Sequence, residues 1–319
     1  MHNLKSCSSE SLPLSYVLIN NNETIRLSSS SGGVFGEIAK WVIKKEGVVF
    51  GAKFNEAWEV IHDYSESMDG ITAFMQSKYV QSNIGYSFAY VQKFLEEGRW
   101  VLFSGTPCQI AGLKSFLKRD WDRLITVDFI CHGVPSPGVW KRYLSETYLK
   151  EFRVDNIKFR DKRKGWHKQY ISVECAKGQT CKNEFFRSAY DSKYMQGFYY
   201  NFFLMKACYD CAYKFIWRES DITLADAWGI EKYAEELDDD KGASVVLIHT
   251  HKGVTWLKES EKSFMIKSVD INQVIKYNKY LCRSVKFSNY RSIFFVLNKF
   301  LSVSISVKIT NTLKKILSD

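Results

Sequence analysis

The chain has 319 residues, of which 45% are apolar and 25% charged, so it is long enough to bury a large core and has the charge content of an ordinary folded protein. No stretch approaches about 20 uninterrupted apolar residues, and the N-terminus lacks the pattern of a secretory signal; we therefore expect no transmembrane span and a cytoplasmic location. The formal net charge of +10 permits nucleic acid, an anionic membrane surface, or a phosphorylated or polycarboxylate ligand as a partner.

The first half of the chain alternates between strand-like and helix-like patterns. Strands are predicted over 15–20, 48–54, 100–104 and 124–131. Helices are predicted from Val34 to just before Gly47 and over 86–98, 109–119 and 139–152. This alternation predicts an α/β fold, with a mixed, mainly parallel open sheet and helices on both faces.

The second half of the chain has a different texture. From about 154 to 190 it is polar, basic and strand-like with turns, which predicts an inserted antiparallel β region. The C-terminal residues are basic and amphipathic; we interpret them as a helical cap with one apolar face, the alternative being contact with an anionic membrane surface. We accordingly divide the chain into a lead-in (1–27), one main domain that contains the insertion (28–285) and a C-terminal tail (286–319).

Four of the eight cysteines occur in contexts that suggest a shared site. Cys208 and Cys211 form a C-x2-C pair, a spacing that suits two ligands of one metal or cluster, or a redox dithiol. Cys108, in the turn GTPCQ, and Cys131 each stand just past the end of a predicted strand. Because the carboxyl ends of parallel strands line the crevice in which open α/β sheets bind ligands, we expect both cysteines to face it.

Four thiolates suit either a 4Fe–4S cluster or a zinc ion, and the unpaired N–H groups at the start of the helix after Cys108 favour a thiolate there. The alternative for Cys108 and Cys131 is that they are small core residues, since free cysteine is among the most buried residue types. Disulfides are not expected in a large cytoplasmic chain. The cysteines without such a context are Cys7, Cys175, Cys181 and Cys282.

Two short segments have the composition of an anion-binding or flavin-binding loop. Ser28–Gly33, SSSSGG, precedes a helix, and its hydroxyls and backbone N–H groups suit a phosphate; the alternative is an ordinary serine N-cap. In SKYVQS (77–82), Lys78 suits a phosphate or a reduced flavin ring and Tyr79 suits ring stacking. The alternative there is an exposed lysine beside a half-buried tyrosine.

Three further segments have weaker signals. Asp226, followed by Trp228, resembles a ligand-facing loop, with a buried N-cap as the alternative. The cationic stretch FRDKRKGWH (159–167) suits phosphates or carboxylates, with a solvated hairpin as the alternative. His132 suits proton transfer, but nothing in the sequence orients it. We interpret the acidic run 238–240 as a solvated turn.

Taken in order, the motifs resemble the coenzyme F420 hydrogenase/dehydrogenase beta-subunit family. The segments that carry the resemblance, between about Tyr16 and Tyr280, are SSSSGGVFGEIA, GVVFGAKF, SKYVQS, VLFSGTPCQIAGLKSFL, VDFICHGVPSP, FRDKRKGW, CYDCAY, SDITLADAWGI and KGASVVLIHTHKG. The resemblance implies an oxidoreductase that passes electrons between a ferredoxin-like partner and a two-electron carrier or substrate. Archaeal members use coenzyme F420, whereas bacterial relatives often accompany polysaccharide-synthesis genes, so the implied substrate is a carrier of the F420 type or a glycan-pathway metabolite.

Carried over by position, the resemblance implies FAD and one 4Fe–4S cluster as cofactors. The implied cluster ligands are Cys108, Cys131, Cys208 and Cys211. The implied flavin contacts are Ser31, Gly32, Gly33, Lys78, Thr106, Gln109, Asp226 and Trp228. No catalytic residue is identified, and Lys78 and His132 are the candidates.

Two departures from the family pattern qualify these expectations. Only Cys7 precedes the serine-rich segment, where many relatives carry a ferredoxin-like segment, so electrons are expected to come from a separate ferredoxin or other iron–sulfur partner. Ala225 stands where relatives commonly have glycine. Two rival interpretations stay open: a zinc-stabilised, non-enzymatic binding module, and a redox-inactive accessory protein in polysaccharide biosynthesis. We expect a small anionic carrier or metabolite and no nucleic acid as partner, because we interpret the positive charge as spread over the chain with one modest basic cluster.

Overall fold

The computed structural model describes residues 13–176 and 185–318. The strands of these residues are β1 (Leu14–Asn20), β2 (Val48–Phe54), β3 (Val60–Ser65), β4 (Val101–Ser104), β5 (Leu124–Phe129), β6 (Val154–Asp161), β7 (Tyr170–Cys175), β8 (Phe185–Ser188), β9 (Ile222–Asp226), β10 (Ser244–Ile248) and β11 (Phe264–Ser268). The α-helices are α1 (Glu23–Ser28), α2 (Val34–Ile43), α3 (Met68–Ile71), α4 (Ser87–Glu96), α5 (Pro107–Leu117), α6 (Pro137–Leu144), α7 (Lys193–Tyr199), α8 (His251–Ser260), α9 (Ile271–Tyr277), α10 (Arg291–Phe300) and α11 (Val303–Ser318).

The main sheet has eight strands in the order β11–β1–β10–β9–β5–β4–β2–β3. The four central strands, β9, β5, β4 and β2, are parallel, and antiparallel pairs add the flanking strands. Because β1 is antiparallel to β10, which is antiparallel to β9, β1 points in the same direction as the four central strands. The prediction of a mixed α/β sheet is confirmed.

Helices cover both faces of this sheet. Successive residues of a strand point to opposite faces, so each central strand contacts both helical layers. In β4, Leu102 packs into a core with α2 and α8, whereas Val101 and Phe103 pack into a core with α4 and α5. In β10, Val246 joins the first of these cores, and Val245 joins a third core that α9 covers. The central strands are therefore apolar on both sides, which is typical of a parallel sheet between two helical layers.

The insertion after α6 forms a separate antiparallel sheet in the order β6–β7–β8, as predicted. Its core is aromatic and includes Trp140 of α6, Tyr194 of α7 and Phe294 of α10. Phe294 is fully buried, and burial of such a side chain contributes about 1.5–3 kcal/mol. The C-terminal helices α10 and α11 therefore pack against the same core as the inserted sheet.

The structure differs from the predicted elements at two places in this region and adds one bond that was not expected. The strand predicted over 124–131 ends at Phe129, so that Cys131 lies just past the strand end, as the interpretation of the cysteines expected. The helix predicted over 139–152 becomes a π-helical turn after Leu144, where Arg142 and Glu146 hydrogen-bond the connection between α10 and α11.

Cys175 takes part in a disulfide bond, contrary to expectation. Cys7 and Cys181 lie outside the described residues. Across residues 13–176 and 185–318, no helix is both long and apolar enough to cross a membrane.

Candidate cofactor site

The predicted site residues gather at one edge of the main sheet. The strands β1, β4, β5 and β9 point in the same direction, so their carboxyl ends meet at this edge. The chain at or after these ends carries the serine–glycine loop (Ser28–Gly33), Cys108, Cys131 and Asp226. This is the edge at which open α/β sheets bind ligands.

The serine–glycine loop is tied to the sheet by backbone and hydroxyl groups. Ser31 Oγ donates to the Ala243 carbonyl at 2.5 Å, and the Gly32 N–H donates to Ser244 Oγ at 2.9 Å. The Asn20 N–H, at the end of β1, donates to the Gly32 carbonyl at 2.9 Å. The loop is therefore held between the end of β1 and the start of β10, and the Ser31 hydroxyl is already engaged by the chain.

Both glycines of this loop are required by their surroundings. A Cβ at Gly32 would lie 2.5 Å from the Leu18 carbonyl oxygen and 2.7 Å from the Ser244 nitrogen. Gly33 has a φ of +83° and is the N-cap of α2, where a residue without Cβ adopts the left-handed conformation at little cost. Because glycine has no side chain that could hydrogen-bond the first turn of α2, the N–H groups of that turn remain available to an anion.

The segment 77–82 crosses this edge of the sheet. At one end the Ser77 N–H donates to Ser30 Oγ at 2.8 Å, and at the other Ser82 Oγ accepts from Gln109 Nε2 at 2.9 Å. Lys78 is half-buried, its ammonium donates to the Ala73 carbonyl, and loss of solvation lowers its pKa to about 7. The segment thus connects the serine–glycine loop to the start of α5.

The inserted sheet contributes a buried arginine to the same edge. Arg160, the penultimate residue of β6, donates from Nη1 to Asp226 Oδ2 at 2.6 Å. Its guanidinium lies 5.1 Å from the centre of the Trp228 ring, and Trp228 stacks on Trp166 with ring centres 5.1 Å apart. Arg160 Nη2, near Tyr79, has no hydrogen-bond partner among the described residues. A buried guanidinium with an unused donor, flanked by a planar ring, suits an anionic or aromatic ligand.

Lys162 fastens the insertion to the serine–glycine loop. Its ammonium donates to the backbone carbonyls of Arg26, Ser31 and Lys241 at 2.6, 2.8 and 2.9 Å. Loss of solvation, followed by the charge of Arg26, lowers the pKa of Lys162 to about 7. The cationic stretch 159–167 is therefore not a solvated hairpin, because its two leading cations bind partners within the chain.

The acidic run 238–240 is a turn in which Asp239 and Asp240 are exposed, as predicted, but its carboxylates also bind partners within the chain. Asp239 accepts two hydrogen bonds from the buried Arg26, and Asp238 contacts His167 Nε2 at 2.8 Å. Asp240 accepts from the His167 N–H at 2.7 Å. These contacts anchor the run, which closes the side of the serine–glycine loop. Ala225, in β9, packs against the α9-covered core and does not crowd this loop.

Thr106 and Gln109 begin α5. The Thr106 N–H donates to Gln109 Oε1 at 2.9 Å as one half of a capping box, and Pro107 occupies the first turn. Thr106 Oγ1 lies 3.0 Å from Cys108 Sγ. Through these contacts Thr106 and Gln109 fix the start of α5 and so position Cys108, which is exposed at the N-terminus of the helix.

The four predicted cysteines lie near one another on this edge. The pKa of Cys131 is raised to about 12, chiefly by loss of solvation; Lys214 opposes this rise, and the neighbouring thiols of Cys208 and Cys108 add to it. Burial also raises the pKa of Cys208, as do the Cys108 and Cys211 thiols. Mutual influence of this kind requires proximity, so the tertiary structure brings together cysteines from three separate parts of the chain.

The loop after β5 directs consecutive backbone N–H groups at two of these sulfurs. The Gly133 N–H partly offsets the raised pKa of Cys131, and the Val134 N–H donates to Cys208 Sγ at 3.4 Å. Gly133 has a φ of +143°, and a Cβ there would lie 3.2 Å from the Cys208 Cβ. Amide donors to sulfur are a recurrent feature of iron–sulfur sites. Within residues 13–176 and 185–318, however, no three His, Cys, Asp or Glu side chains converge closely enough to hold a metal ion as they stand.

His132 is enclosed between the loops. Its Nε2 lies 2.8 Å from Asn201 Oδ1, which orients the ring, and the ring contacts Tyr280 with centres 4.4 Å apart. Burial lowers the pKa of His132 to about 4. The structure thus supplies the orienting group that the sequence did not reveal, on the cysteine side of the edge.

Comparisons with known proteins identify the family of the chain. A sequence profile for the C-terminal part of the beta subunit of coenzyme F420 hydrogenase/dehydrogenase matches residues 98–274, more than half of the chain. The chain belongs to this family. A comparison with curated protein sequences finds no significant match.

A solved structure shares the fold. A chain from the F420-reducing [NiFe] hydrogenase complex of Methanosarcina barkeri superposes with a TM-score of 0.57 and 13% sequence identity. The match covers 85% of this chain and 89% of that chain. The matched region of the F420 hydrogenase/dehydrogenase family profile includes all four predicted cysteine ligands, whereas the serine–glycine loop and Lys78 precede it. Membership identifies the chain as a relative of oxidoreductase subunits.

Four residues of this family member were not singled out from its sequence. These are His62, Gly133, Arg160 and Lys214, each in or beside the site. Arg160 lies in the cationic stretch 159–167, which was predicted to suit phosphates or carboxylates, but nothing in the sequence distinguished it from the other cations of that stretch or showed that it is buried. Lys214, three residues after Cys211, donates to the carbonyls of Cys131 and Tyr280, a contact that sequence spacing does not predict.

Proposed function

We propose that this family member is a flavin- and iron–sulfur-dependent oxidoreductase. It passes electrons between a ferredoxin-like partner and a two-electron carrier or substrate. The observation that carries the proposal is the placement of four thiols on the same sheet edge as a glycine-rich loop and an uncapped helix N-terminus. An edge with sulfur donors on one side and an anion-binding loop on the other suits an iron–sulfur centre beside a phosphate-bearing redox cofactor.

The donor set fits a 4Fe–4S cluster in its chemistry. Cys108, Cys131, Cys208 and Cys211 would be the ligands, and the N–H groups of Gly133 and Val134 point at two of the four sulfurs. Cys108 stands at the start of α5, where the helix dipole favours a thiolate. The four thiols must move together to share a cluster, and burial of Cys131 keeps that thiol protonated until they do.

The opposite side of the edge fits the phosphate and ring portions of FAD. Ser31, Gly32 and Gly33 form the loop before α2, whose first N–H groups would bind a phosphate. Lys78 and the unused Nη2 of Arg160 would offset negative charge on a ligand. Asp226 holds Arg160, and Trp228 flanks it. Thr106 and Gln109 act by placing Cys108 between the two sides.

When bound, these groups supply one-electron transfer at the cluster and exchange of a hydride at the flavin. The chain orients them, excludes water and balances charge. Lys78, with a pKa near 7, is the side chain best suited to exchange a proton on the flavin side. His132 is held neutral by burial on the cysteine side, and we assign it a positioning role through Asn201 and Tyr280.

The proposed substrate is a small anionic two-electron carrier, of the coenzyme F420 type or a metabolite of glycan synthesis. The M. barkeri complex that shares the fold is an F420-reducing hydrogenase, which supports the first choice. The cations Lys78 and Arg160 at the edge support an anionic substrate of either kind.

Cofactor content after anaerobic reconstitution tests the proposal. We expect about four irons per chain, the broad absorption of a 4Fe–4S cluster and a bound flavin. Cys131→Ser and Cys208→Ser should abolish the cluster absorption. Cys282→Ser is the matched control, since Cys282 is a free cysteine outside the predicted set, and its cluster should be retained.

A single zinc ion in place of iron and flavin would contradict the proposal and favour a zinc-stabilised binding module. An accessory role in polysaccharide assembly makes a different prediction. In that case Cys131→Ser and Cys208→Ser would lose the cluster but would still restore glycan synthesis in a deletion strain.

A further inference from the structure

The positive charge of the chain is not spread evenly, contrary to the expectation from the sequence. Of 45 basic and 35 acidic residues, residues 271–319 hold nine basic and one acidic, the terminal Asp319. This C-terminal stretch therefore accounts for eight of the ten net positive charges. From 271 to 318 it contains no carboxylate side chain at all. Such a one-signed stretch is a candidate for electrostatic recognition of an anionic partner.

The first part of this stretch is attached to the loops that carry the predicted cluster ligands. The Cys211 N–H donates to Ser284 Oγ at 3.0 Å, and Asn201 Nδ2 donates to the Lys286 carbonyl at 3.1 Å. Lys214, which binds the carbonyl of Cys131, also donates to the Tyr280 carbonyl at 3.1 Å. The segment 279–287 thus lies against the cysteine side of the candidate site.

Three cations of this segment point to solvent. Lys279, Arg283 and Lys286 are exposed, and none of them forms an ion pair with a carboxylate in the described parts of the chain. Phe287 is 57% exposed and contacts Tyr209, which follows Cys208 directly, with ring centres 5.0 Å apart. We call Lys279, Arg283, Lys286 and Phe287 the basic face. An exposed aromatic ring in a segment whose cations lack carboxylate partners is typical of an interaction surface.

We propose that the basic face docks a small acidic electron-transfer protein against the cysteine side of the site. The inference rests on the proposed function and names the surface through which the partner acts. One electron would leave the partner's reduced iron–sulfur centre, which becomes oxidised, and one would be gained by the acceptor held by the four cysteines. Complementary charge would steer the encounter, and Phe287 would provide an apolar contact beside Tyr209.

Position favours a redox protein over the other anionic partners. Electron transfer slows steeply with distance, so a donor must dock beside its acceptor, and the basic face is attached directly to the Cys208–Cys211 segment. The apolar exposed residues that suit a membrane surface lie farther along the chain, on α10 and α11, and include Phe300, Ile316 and Leu317. Nucleic acid would be expected to contact the cations of α10 and α11 as well as those of the basic face.

Two charge-reversal variants separate these surfaces. The first is Lys279→Glu/Arg283→Glu/Lys286→Glu on the basic face. The matched control is Lys299→Glu/Lys308→Glu/Lys315→Glu, which makes the same charge change at three exposed lysines of α10 and α11. Both should fold like the unaltered chain, because all six side chains project into solvent.

The probe is a fluorescently labelled, small two-cluster ferredoxin with an acidic surface. Its binding is followed by anisotropy and its oxidation, after reduction, by stopped-flow absorbance at low and high salt. At low salt we expect the basic-face variant to bind and accept electrons at least about tenfold more weakly than the unaltered chain, with little remaining salt dependence. The control should stay within about twofold.

Equal weakening by the two variants, or no weakening by the first, would overturn the proposal. The proposal would also be overturned if the basic-face variant lost more affinity for phosphatidylglycerol vesicles, or for a DNA duplex, than for ferredoxin. That ligand would then be the favoured partner. Dithionite reduction provides the distinction from the proposed function. If the basic-face variant has normal iron and flavin content and is reduced normally by dithionite, but no longer accepts electrons from ferredoxin, the docking surface is identified. If iron and flavin are absent from every variant, the proposed function is refuted, and anisotropy then tests docking alone.

Discussion

The two sides of the candidate site are built in different ways. On the serine–glycine side the polar groups are largely paired within the chain: Ser31 with Ala243, Gly32 with Ser244, and Lys162 with three carbonyls. On the cysteine side, the four predicted ligand thiols are free, and among the described residues they do not converge on a point. The serine–glycine side is therefore preformed. On the cysteine side the four thiols lie near one another but do not meet at a common point.

This difference indicates which interactions each side depends on. The serine–glycine side is held by hydrogen bonds between residues far apart in sequence, so it should be sensitive to any change in backbone or side-chain volume. The cysteine side should depend on its ligand, because a bound cluster would supply the bonds that the thiols lack. Changes on the first side should therefore reduce stability with or without cofactor, and changes on the second should act mainly through cluster content.

The largest effect is expected from Gly32→Ala. The added Cβ would meet the backbone of Leu18 and Ser244 at 2.5 and 2.7 Å, and neither strand end can withdraw without breaking sheet hydrogen bonds. We expect the free energy of unfolding to fall by about 3 kcal/mol or more, together with loss of bound flavin. Gly112→Ala is the control, because the nearest atoms to its Cβ are Phe88 ring carbons at 3.5 Å. Urea unfolding measures both, and equal stability of the two variants would contradict a preformed loop.

Lys162→Met should have the next largest effect. The substitution leaves three backbone carbonyls without their shared donor and retains most of the side-chain volume. We expect a loss of about 2–3 kcal/mol in the free energy of unfolding, and a lower affinity for flavin. Lys164→Met, at an exposed position two residues along, should leave both quantities unchanged. Similar thermal midpoints for the two variants would show that Lys162 does not hold the loop.

Gly133→Ala tests the cysteine side. The residue has a φ of +143°, and its Cβ would lie 3.0 Å from Leu204 Cδ1 and 3.2 Å from Cys208 Cβ. Strain of this kind costs about 2 kcal/mol, and it displaces the N–H groups aimed at the sulfurs. We expect iron content per chain to fall after reconstitution while flavin content is retained. Gly138→Ala, whose nearest neighbour is 3.8 Å away, should retain both. Loss of flavin with full retention of iron in Gly133→Ala would reverse the comparison.

The smallest effect concerns His62, which lies under the boundary between the two sides. Its Nε2 lies 2.9 Å from the Ser104 carbonyl, and its ring stacks on Phe103. The pKa of His62 is lowered from 6.5 to about 4, chiefly by burial and to a smaller extent by the charge of Lys78. Between these two values the unfolded chain takes up a proton that the folded chain does not, so stability from this residue is complete above pH 6.5 and falls as the pH drops toward 4.

His62→Phe should remove that pH dependence. Loss of the contact with Ser104 lowers stability equally at all pH values, by about 1 kcal/mol. From pH 7 to pH 5, however, the unaltered chain should lose about 1.5–2 kcal/mol more than the variant. Urea unfolding at the two pH values measures the difference, and parallel losses in both chains would contradict a neutral, buried imidazole.

Much of the fold followed from local patterns. The apolar runs at 48–54 and 100–104 predicted strands, and the Gly-Thr-Pro-Cys turn predicted the start of a helix. These features depend on neighbours within a few positions, which a sequence displays directly. Placement of Cys108 and Cys131 at one edge also followed, because strand direction in a parallel sheet determines where each strand ends.

By itself, then, the sequence determined the α/β class, the antiparallel insertion and the family, and it led to the prediction that four cysteines act as a set. Only the tertiary structure decided that Arg160 reaches Asp226, 66 residues away, that Lys162 binds Ser31, and that Ser31 binds Ala243, 212 residues away. Contacts across such separations arise from how the sheet and the insertion pack, and no periodicity in the chain encodes them. The same packing placed the acid-free C-terminal stretch against the Cys208–Cys211 segment, because Ser284 and Tyr280 supply the oxygens that Cys211 and Lys214 bind.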